Sequence, residues 1–230
     1  MWLTRLPLNL RSREVMRDLG DVQSMHSRLM SLFPQSDGEG ARRSFQVLYR
    51  VEDAGDQPLQ VLLQCALEPS VVGLPSDYLR EAGGGYGCTS LLPLFERMTA
   101  GAPFIFRLRA NTTKKIHSFD SDGTRRKNGT RVPIKDLELE AWALRKLEQA
   151  GLEVIDSQGG RQLKAVGEPN RFGFKPGGTK LTLASTLFEG LVAVRDADLV
   201  RLTLEQGVGA AKAYGFGLLS LAPAGDRGEP

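Results

Sequence analysis

The chain is poor in the groups from which disulfides, metal centres and membrane spans are built. It has two cysteines and two histidines in 230 residues. Cys65 sits in an apolar run with Val61, Leu62, Leu63 and Leu67, which reads as a buried thiol rather than half of a disulfide. Cys65, Cys88, His26 and His117 have no zinc-ligand spacing. No carboxylate cluster suggests a magnesium site, because Asp120 and Asp122 lie in a basic, turn-rich segment. The expected cofactor complement is therefore none. No stretch of eighteen apolar residues occurs, so no membrane span is expected. Met1 to Leu10 lacks a signal-peptide core, and the expected location is the cytoplasm.

Apolar residues make up 41% of the chain and charged residues 25%, the balance of an ordinary globular protein. The net charge of +3 is too small to indicate a partner, but its distribution is uneven. Between Ile105 and Lys135 nine basic residues face only two acids, a net +7 that leaves −4 on the rest of the chain. The basic residues are Arg107, Arg109, Lys114, Lys115, Arg125, Arg126, Lys127, Arg131 and Lys135. A positive field on a mildly acidic body is the footprint of a polyanion site.

Periodicity predicts two α+β halves, residues 1–97 and 98–230. In the first, Met1–Asn9 reads as a strand, and Asp21 caps a helix from Val22 to about Phe33 that Pro34 closes. Residues 44–52 and 58–67 read as strands joined by a turn. A short helix over Ser76–Glu81, a glycine loop at 83–87 and a strand near Leu91–Phe95 complete a β-α-β-β-α-β unit. In the second half, Phe104–Ala110 alternates strictly. Phe104, Phe106 and Leu108 share one face, Arg107 and Arg109 the other. Residues 112–131 are polar, basic and turn-rich. A helix over Asp136–Ala150 carries Leu139, Trp142, Ala143 and Leu147 at helical spacing. Strands near 152–156 and 161–166, a hairpin over 179–194 turning at Glu189-Gly190, a helix over Asp196–Gln206 and a strand over Phe216–Ala222 follow. The predicted fold is two tandem ferredoxin-like units.

His26 sits one step round from the apolar stripe of Val22, Met25, Leu29 and Leu32, where its side chain can emerge at a cleft rim. A histidine titrates near neutral pH and can move a proton during bond cleavage. A half-exposed surface histidine is the plain alternative. His117, in the basic segment, ranks below it. The stretch Gly207 to Gly217 contains Gly209, Lys212 and Gly215. It lacks the Gly-Lys-Ser/Thr ending of a P-loop, and it follows a helix instead of a strand. A glycine-rich turn bearing a lysine can still admit a phosphate, or it can be purely structural.

Four ordered stretches carry a resemblance to a known family. They are Met1-Trp-Leu-Thr-Arg-Leu6, Met25-His26 through Phe33-Pro34, Phe106-Arg107-Leu108-Arg109-Ala110-Asn111 through Lys114, and Gly207 through Pro223. Phe188-Glu189-Gly190 also fits. The sequence resembles the CRISPR-associated CasE family, the repeat-RNA endoribonucleases of type I-E Cascade within the RAMP superfamily. The resemblance implies tandem ferredoxin-like folds and metal-independent cleavage of pre-crRNA at the base of a repeat stem-loop. It also implies a crRNA product that stays bound and joins the other Cascade subunits. It places the catalytic histidine at His26. Relatives with a tyrosine three residues earlier and a lysine five residues later are matched here by Gln23 and Ser31. Thr112 replaces a proline after Asn111.

The implied chemistry is in-line attack by a 2′-hydroxyl, leaving a 2′,3′-cyclic phosphate and a 5′-hydroxyl. His26 moves the proton, and a cation stabilises the phosphorane. Arg28 is the first candidate for that cation, although residues two apart on a helix do not share a face. Lys212 and the glycine loop are alternatives. RNA contacts are expected from Arg107, Arg109, Lys114, Lys115, Arg125, Arg126, Lys127 and Arg131, with Gly209, Lys212, Gly215 and Gly217. Two rivals stand beside this reading: a non-catalytic RAMP-type RNA-binding subunit, and a phosphate-metabolite enzyme built on the glycine loop.

Overall fold

A computed structural model describes residues 1–225 apart from 36–39, 54–58, 81–85, 118, 120, 122, 125–129, 135 and 158–159. Among the described residues no helix is long and apolar enough to cross a membrane.

The chain opens with β1 (Trp2–Pro7), then α1 (Arg13–Gly20) and α2 (Val22–Met30). The turn α3 (Ala41–Ser44) precedes β2 (Leu48–Glu52) and β3 (Gln60–Cys65). β4 (Gly87–Ser90) and the short α4 (Leu92–Glu96) end the first half. Its four strands form an antiparallel sheet in the order β2-β3-β1-β4. The core beneath it joins Leu6 and Leu8, Met25 and Leu29 of α2, and Val61 and Leu63 of β3.

The second half begins with β5 (Pro103–Ala110), a hairpin of β6 (Thr113–Ile116) and β7 (Thr130–Pro133), and α5 (Asp136–Gln149). Three short strands follow, β8 (Leu152–Val154), β9 (Asp156–Ser157) and β10 (Gly160–Arg161). Two long strands, β11 (Leu163–Phe174) and β12 (Lys180–Val194), precede α6 (Ala197–Gln206) and β13 (Leu219–Pro223). The sheet order β11-β12-β5-β13, with the short β8 added beside β12, repeats that of the first half when these four strands alone are numbered in chain order. Both sheets thus have the ferredoxin-like order, and each backs its own core. Phe104, Phe106 and Leu108 point into the second core with Trp142, Leu147, Phe188 and Leu204, as strict alternation in β5 requires.

Local chemistry explains most boundaries. Asp21 caps α2, accepting from the Gln23 amide at 2.9 Å and from the Ser24 hydroxyl at 3.1 Å. Asp196 caps α6 in the same way, accepting from Asp198 and Leu199 amides.

Three sequence-based expectations fail for identifiable reasons, and one helix has no counterpart among them. Residues 76–81 were expected to be helical, but the Asn9 amide bonds the Tyr78 carbonyl and the Arg80 amide bonds the Pro7 carbonyl. Leu79 bridges Leu8, so this stretch extends the end of β1. The last strand of the first half is β4, while residues 92–96 form a helical turn opened by Pro93. The Glu189-Gly190 turn does not exist, because β12 runs unbroken for 15 residues. Gly190 is there for close approach: a Cβ would lie 2.0 Å from the Gln162 carbonyl oxygen. The real reversal joins β11 to β12 at residues 175–179, where Gly177 and Gly178 have positive φ. Finally, α1 was not foreseen. Its inward side is marked by Val15 and by the carboxylate of Asp18, whose apolar-pattern signal is negative.

Candidate active site and nucleic-acid interface

α2 meets the turn at Lys212–Tyr214, which lies between α6 and β13. His26 faces that turn. Its ring centroid is 6.1 Å from that of Tyr214, edge-on at 71°. The imidazole is half-buried, and its Nδ1 is buried without a protein partner. Burial pushes the His26 pKa below its ordinary value, and the positive charge of Arg42 on α3 adds to the effect. Both effects favour the neutral imidazole. The Tyr214 hydroxyl donates to Gln23 Oε1 at 3.3 Å, one helical turn before His26.

Lys212 opens the same turn and donates from Nζ to the Gln206 carbonyl at 2.8 Å. Its pKa is also lowered, by burial first and then by Arg42 and Lys146. Like charges are thus held together around it, an arrangement that favours an anionic ligand. Lys212 also lines a groove of about 590 Å³ between the β6–β7 hairpin, α5 and the glycine loop. Lys114, Lys115, Arg131, Arg145 and Lys146 complete a wall of six cations, with no carboxylate among the lining residues. Asn111 lies in the same wall, and its buried Oδ1 has no partner.

The glycine loop is shaped by packing. A Cβ at Gly217 would lie 2.5 Å from the Val208 carbonyl oxygen, and one at Gly215 would lie 3.0 Å from the Tyr49 ring. Both residues have positive φ, 82° and 83°. The Gly217 amide bonds the Arg109 carbonyl at 2.8 Å, which pins the loop to β5. Gly209 packs on Trp142 at the groove.

Residues 1–223 match the family model described as CRISPR associated protein. The CRISPR-associated endoribonuclease Cse3 of Thermus thermophilus is 32% identical over 230 residues, covering 97% of this chain and all of that protein. The chain belongs to the CasE/Cse3 family of CRISPR-associated proteins. The Cascade subunit CasE of Escherichia coli is 32% identical over 209 residues, covering 88% of this chain and 92% of that one. Among solved structures, Thermus thermophilus Cse3 bound to an RNA representing a pre-cleavage complex superposes with a TM-score of 0.76. It is 32% identical, covering 96% of this chain and 98% of that one.

Within this CasE/Cse3 chain the remaining candidate residues divide. The Arg28 guanidinium is occupied elsewhere. It donates from Nε to Asp18 at 2.9 Å, pairs with Glu14, and lies over the Tyr78 ring at 5.2 Å. It ties α2 to α1, and the cation that bears on His26 is Arg42. Arg107 and Arg109 do lie opposite the apolar face of β5, but there they meet acids of the protein. Arg107 pairs with Glu189 at 2.5 Å. Arg109 pairs with Glu168 through two bonds of 2.6 and 2.7 Å and donates to the Val51 carbonyl; only 8% of it is exposed. Arg109 is thus buried at the junction of the two halves, whereas Arg107 beside it stays partly exposed. The fully buried Arg50 makes the same junction, bonding Glu52, the Arg107 and Leu218 carbonyls and Ser220.

Lys114, Lys115 and Arg131 are exposed on the hairpin, with Lys114 held by Glu138 at 2.7 Å. Arg125, Arg126 and Lys127 lie outside the described residues. Sequence reasoning missed Arg42, Arg145, Lys146 and Tyr214. For Arg145 and Lys146 a signal existed, since both follow the buried Trp142-Ala143 face of α5 by two or three residues. Tyr214 had none.

Proposed function

We propose that this protein is a metal-independent endoribonuclease that cuts CRISPR repeat RNA and retains the product within Cascade, acting in the cytoplasm. The observation that carries this is the placement of His26. It stands half-buried beside a turn whose Lys212 lines a groove of cations. An A-form stem hides its base edges, so a protein reads it through shape and phosphates, which suits a cationic groove. Residues 98–230 supply that groove and the glycine loop; residues 1–97 supply the helix with His26.

These positions support the following reaction. His26, whose burial favours the neutral form, takes the proton of the 2′-hydroxyl, which attacks the adjacent phosphorus in line. Lys212 and Arg42 offset the charge that builds on the phosphorane oxygens. The bond to the 5′-oxygen breaks, that oxygen takes up a proton from water, His26 returns its proton to solvent, and a 2′,3′-cyclic phosphate remains. Positioned proton transfer contributes about two to four orders of magnitude. An enzyme that keeps its product gains nothing from fast turnover.

The test is cleavage and binding of end-labelled repeat RNA in EDTA by the protein and by His26→Ala. Cutting at one site by the native protein, with binding but no cutting by the variant, is the expected result. If both bind and neither cuts, the protein is a non-catalytic RNA-holding subunit.

A further inference from the structure

His26 has no side chain of its own helix to hold it. Its Nδ1 is buried and bonds nothing in the protein. The residues one turn to either side, Gln23 and Met30, offer the ring no hydrogen bond either: Gln23 bonds Ser27 and Tyr214. What meets the ring is Tyr214, which arrives from 191 residues beyond Gln23.

The turn that delivers Tyr214 is built for a fixed presentation. Ala211 has φ +59°, a left-handed conformation that a residue with a Cβ rarely adopts, and Gly215 on the other side is left-handed too. The Tyr214 amide closes the turn on the Ala211 carbonyl at 2.8 Å. A Cβ at Gly215 would lie 3.0 Å from the Tyr49 ring of β2, so the turn packs closely there. Gln23 and His26 are three residues apart, so they share a helix face. One tyrosine therefore touches both: its hydroxyl bonds Gln23, and its ring stands edge-on to the imidazole.

We propose that Tyr214 is a positioning residue for His26. Its ring closes one side of the imidazole, and its hydroxyl, latched to Gln23, fixes where that ring stands. This rests on His26 being the group that moves the proton. Tyr214 itself exchanges no proton with RNA in this scheme. The charge that bears on His26 is Arg42 of α3, which bears on Lys212 as well, and Arg171 of β11 lines the same cavity as Tyr214; the acids of α1 are taken by Arg17 and Arg28.

The experiment compares Tyr214→Phe, Gln23→Ala, their double variant and Tyr214→Ala with the native protein. Single-turnover cleavage is measured against RNA concentration and pH, and the His26 ring signal is titrated by NMR. The chain has two histidines, so His26→Ala assigns that signal. Tyr214→Phe and Gln23→Ala should each slow cleavage roughly two- to tenfold, the worth of one hydrogen bond. Neither should change the RNA concentration at half-saturation. Because they break the same latch, the double variant should be no slower than either. Tyr214→Ala admits water to the ring, so cleavage should fall further. The acidic midpoint of the rate and the NMR titration should then both rise toward the ordinary histidine value. Native rates and an unmoved titration in Tyr214→Ala, with His26→Ala inactive, overturn the proposal. So does a loss confined to RNA affinity. Cleavage by His26→Ala at the native rate overturns instead the reading of His26 on which the proposal rests.

Discussion

RNA affinity should depend steeply on salt, and two residues of α5 should account for a large part of that dependence. Six cations line the groove, and Lys114 is already held by Glu138. Lys115, Arg131, Arg145, Lys146 and Lys212 remain to neutralise phosphates. Each phosphate neutralised on a duplex contributes about −0.9 to the slope of log affinity against log salt, so five contacts give about −4.5. Between 50 and 200 mM salt the affinity should then fall roughly 500-fold. Replacing Arg145 and Lys146 by alanine removes two contacts. The slope should become about −2.7 and the fall over the same range about 40-fold. Arg145 is exposed and Lys146 half-exposed, so the helix should keep its fold. Fluorescence anisotropy with a labelled repeat stem-loop measures both slopes, using His26→Ala throughout so that the RNA stays intact. A double variant whose slope stays within about 0.5 of the native one would show that the groove along α5 does not hold the RNA.

Other consequences concern the junction and the loop. Arg50→Ala leaves Glu52 and two carbonyls without their buried partner and should cost about 3–5 kcal/mol, or roughly 6–20 °C of melting temperature by calorimetry; a loss under about 1 kcal/mol would mean the junction relaxes around the gap. Burial alone would raise the Glu168 pKa, but hydrogen bonds from Arg109 and Ser185 and the nearby arginine charges outweigh it, so it lies below the ordinary 4.5. A carboxylate depressed in the fold stabilises above its unfolded pKa, and that contribution is lost as pH falls through the folded value. Urea midpoints of Glu168→Gln should therefore vary less with pH below 4.5 than those of the native protein, and equal pH slopes would contradict the pairing. Gly217→Ala forces a Cβ against the Val208 carbonyl at positive φ and should cost about 1–3 kcal/mol. Cleavage should fall with it, because the same loop carries Lys212 and Tyr214. An unchanged melting temperature would refute the strain argument.

The parts of the fold read correctly were those with local signals. β5 alternates, α5 repeats its apolar residues at helical spacing, and Asp21 and Asp196 cap the helices that follow them. The misread parts lacked such signals or gave contrary ones. α1 directs a buried carboxylate inward, and Asp18 is acceptable there only because Arg17, Arg28 and Tyr78 converge on it. Gly190 reads as a turn residue, but the close approach of Gln162 requires it in mid-strand.

The amino-acid sequence alone determined the two α+β halves, the helix bearing His26, the basic turn-rich segment and the ordered motifs that mark the family. These rest on periodicity and capping, which act over a few residues. Only the tertiary structure decided which cations are available. Arg28, Arg107 and Arg109 meet acids from other elements, while Arg145 and Lys146 join the open groove. It also brought Tyr214 to His26. A charge is free or paired, and a ring is a neighbour or not, according to distances in space. Contacts between residues so far apart in the chain arise only once both sheets have folded and packed together.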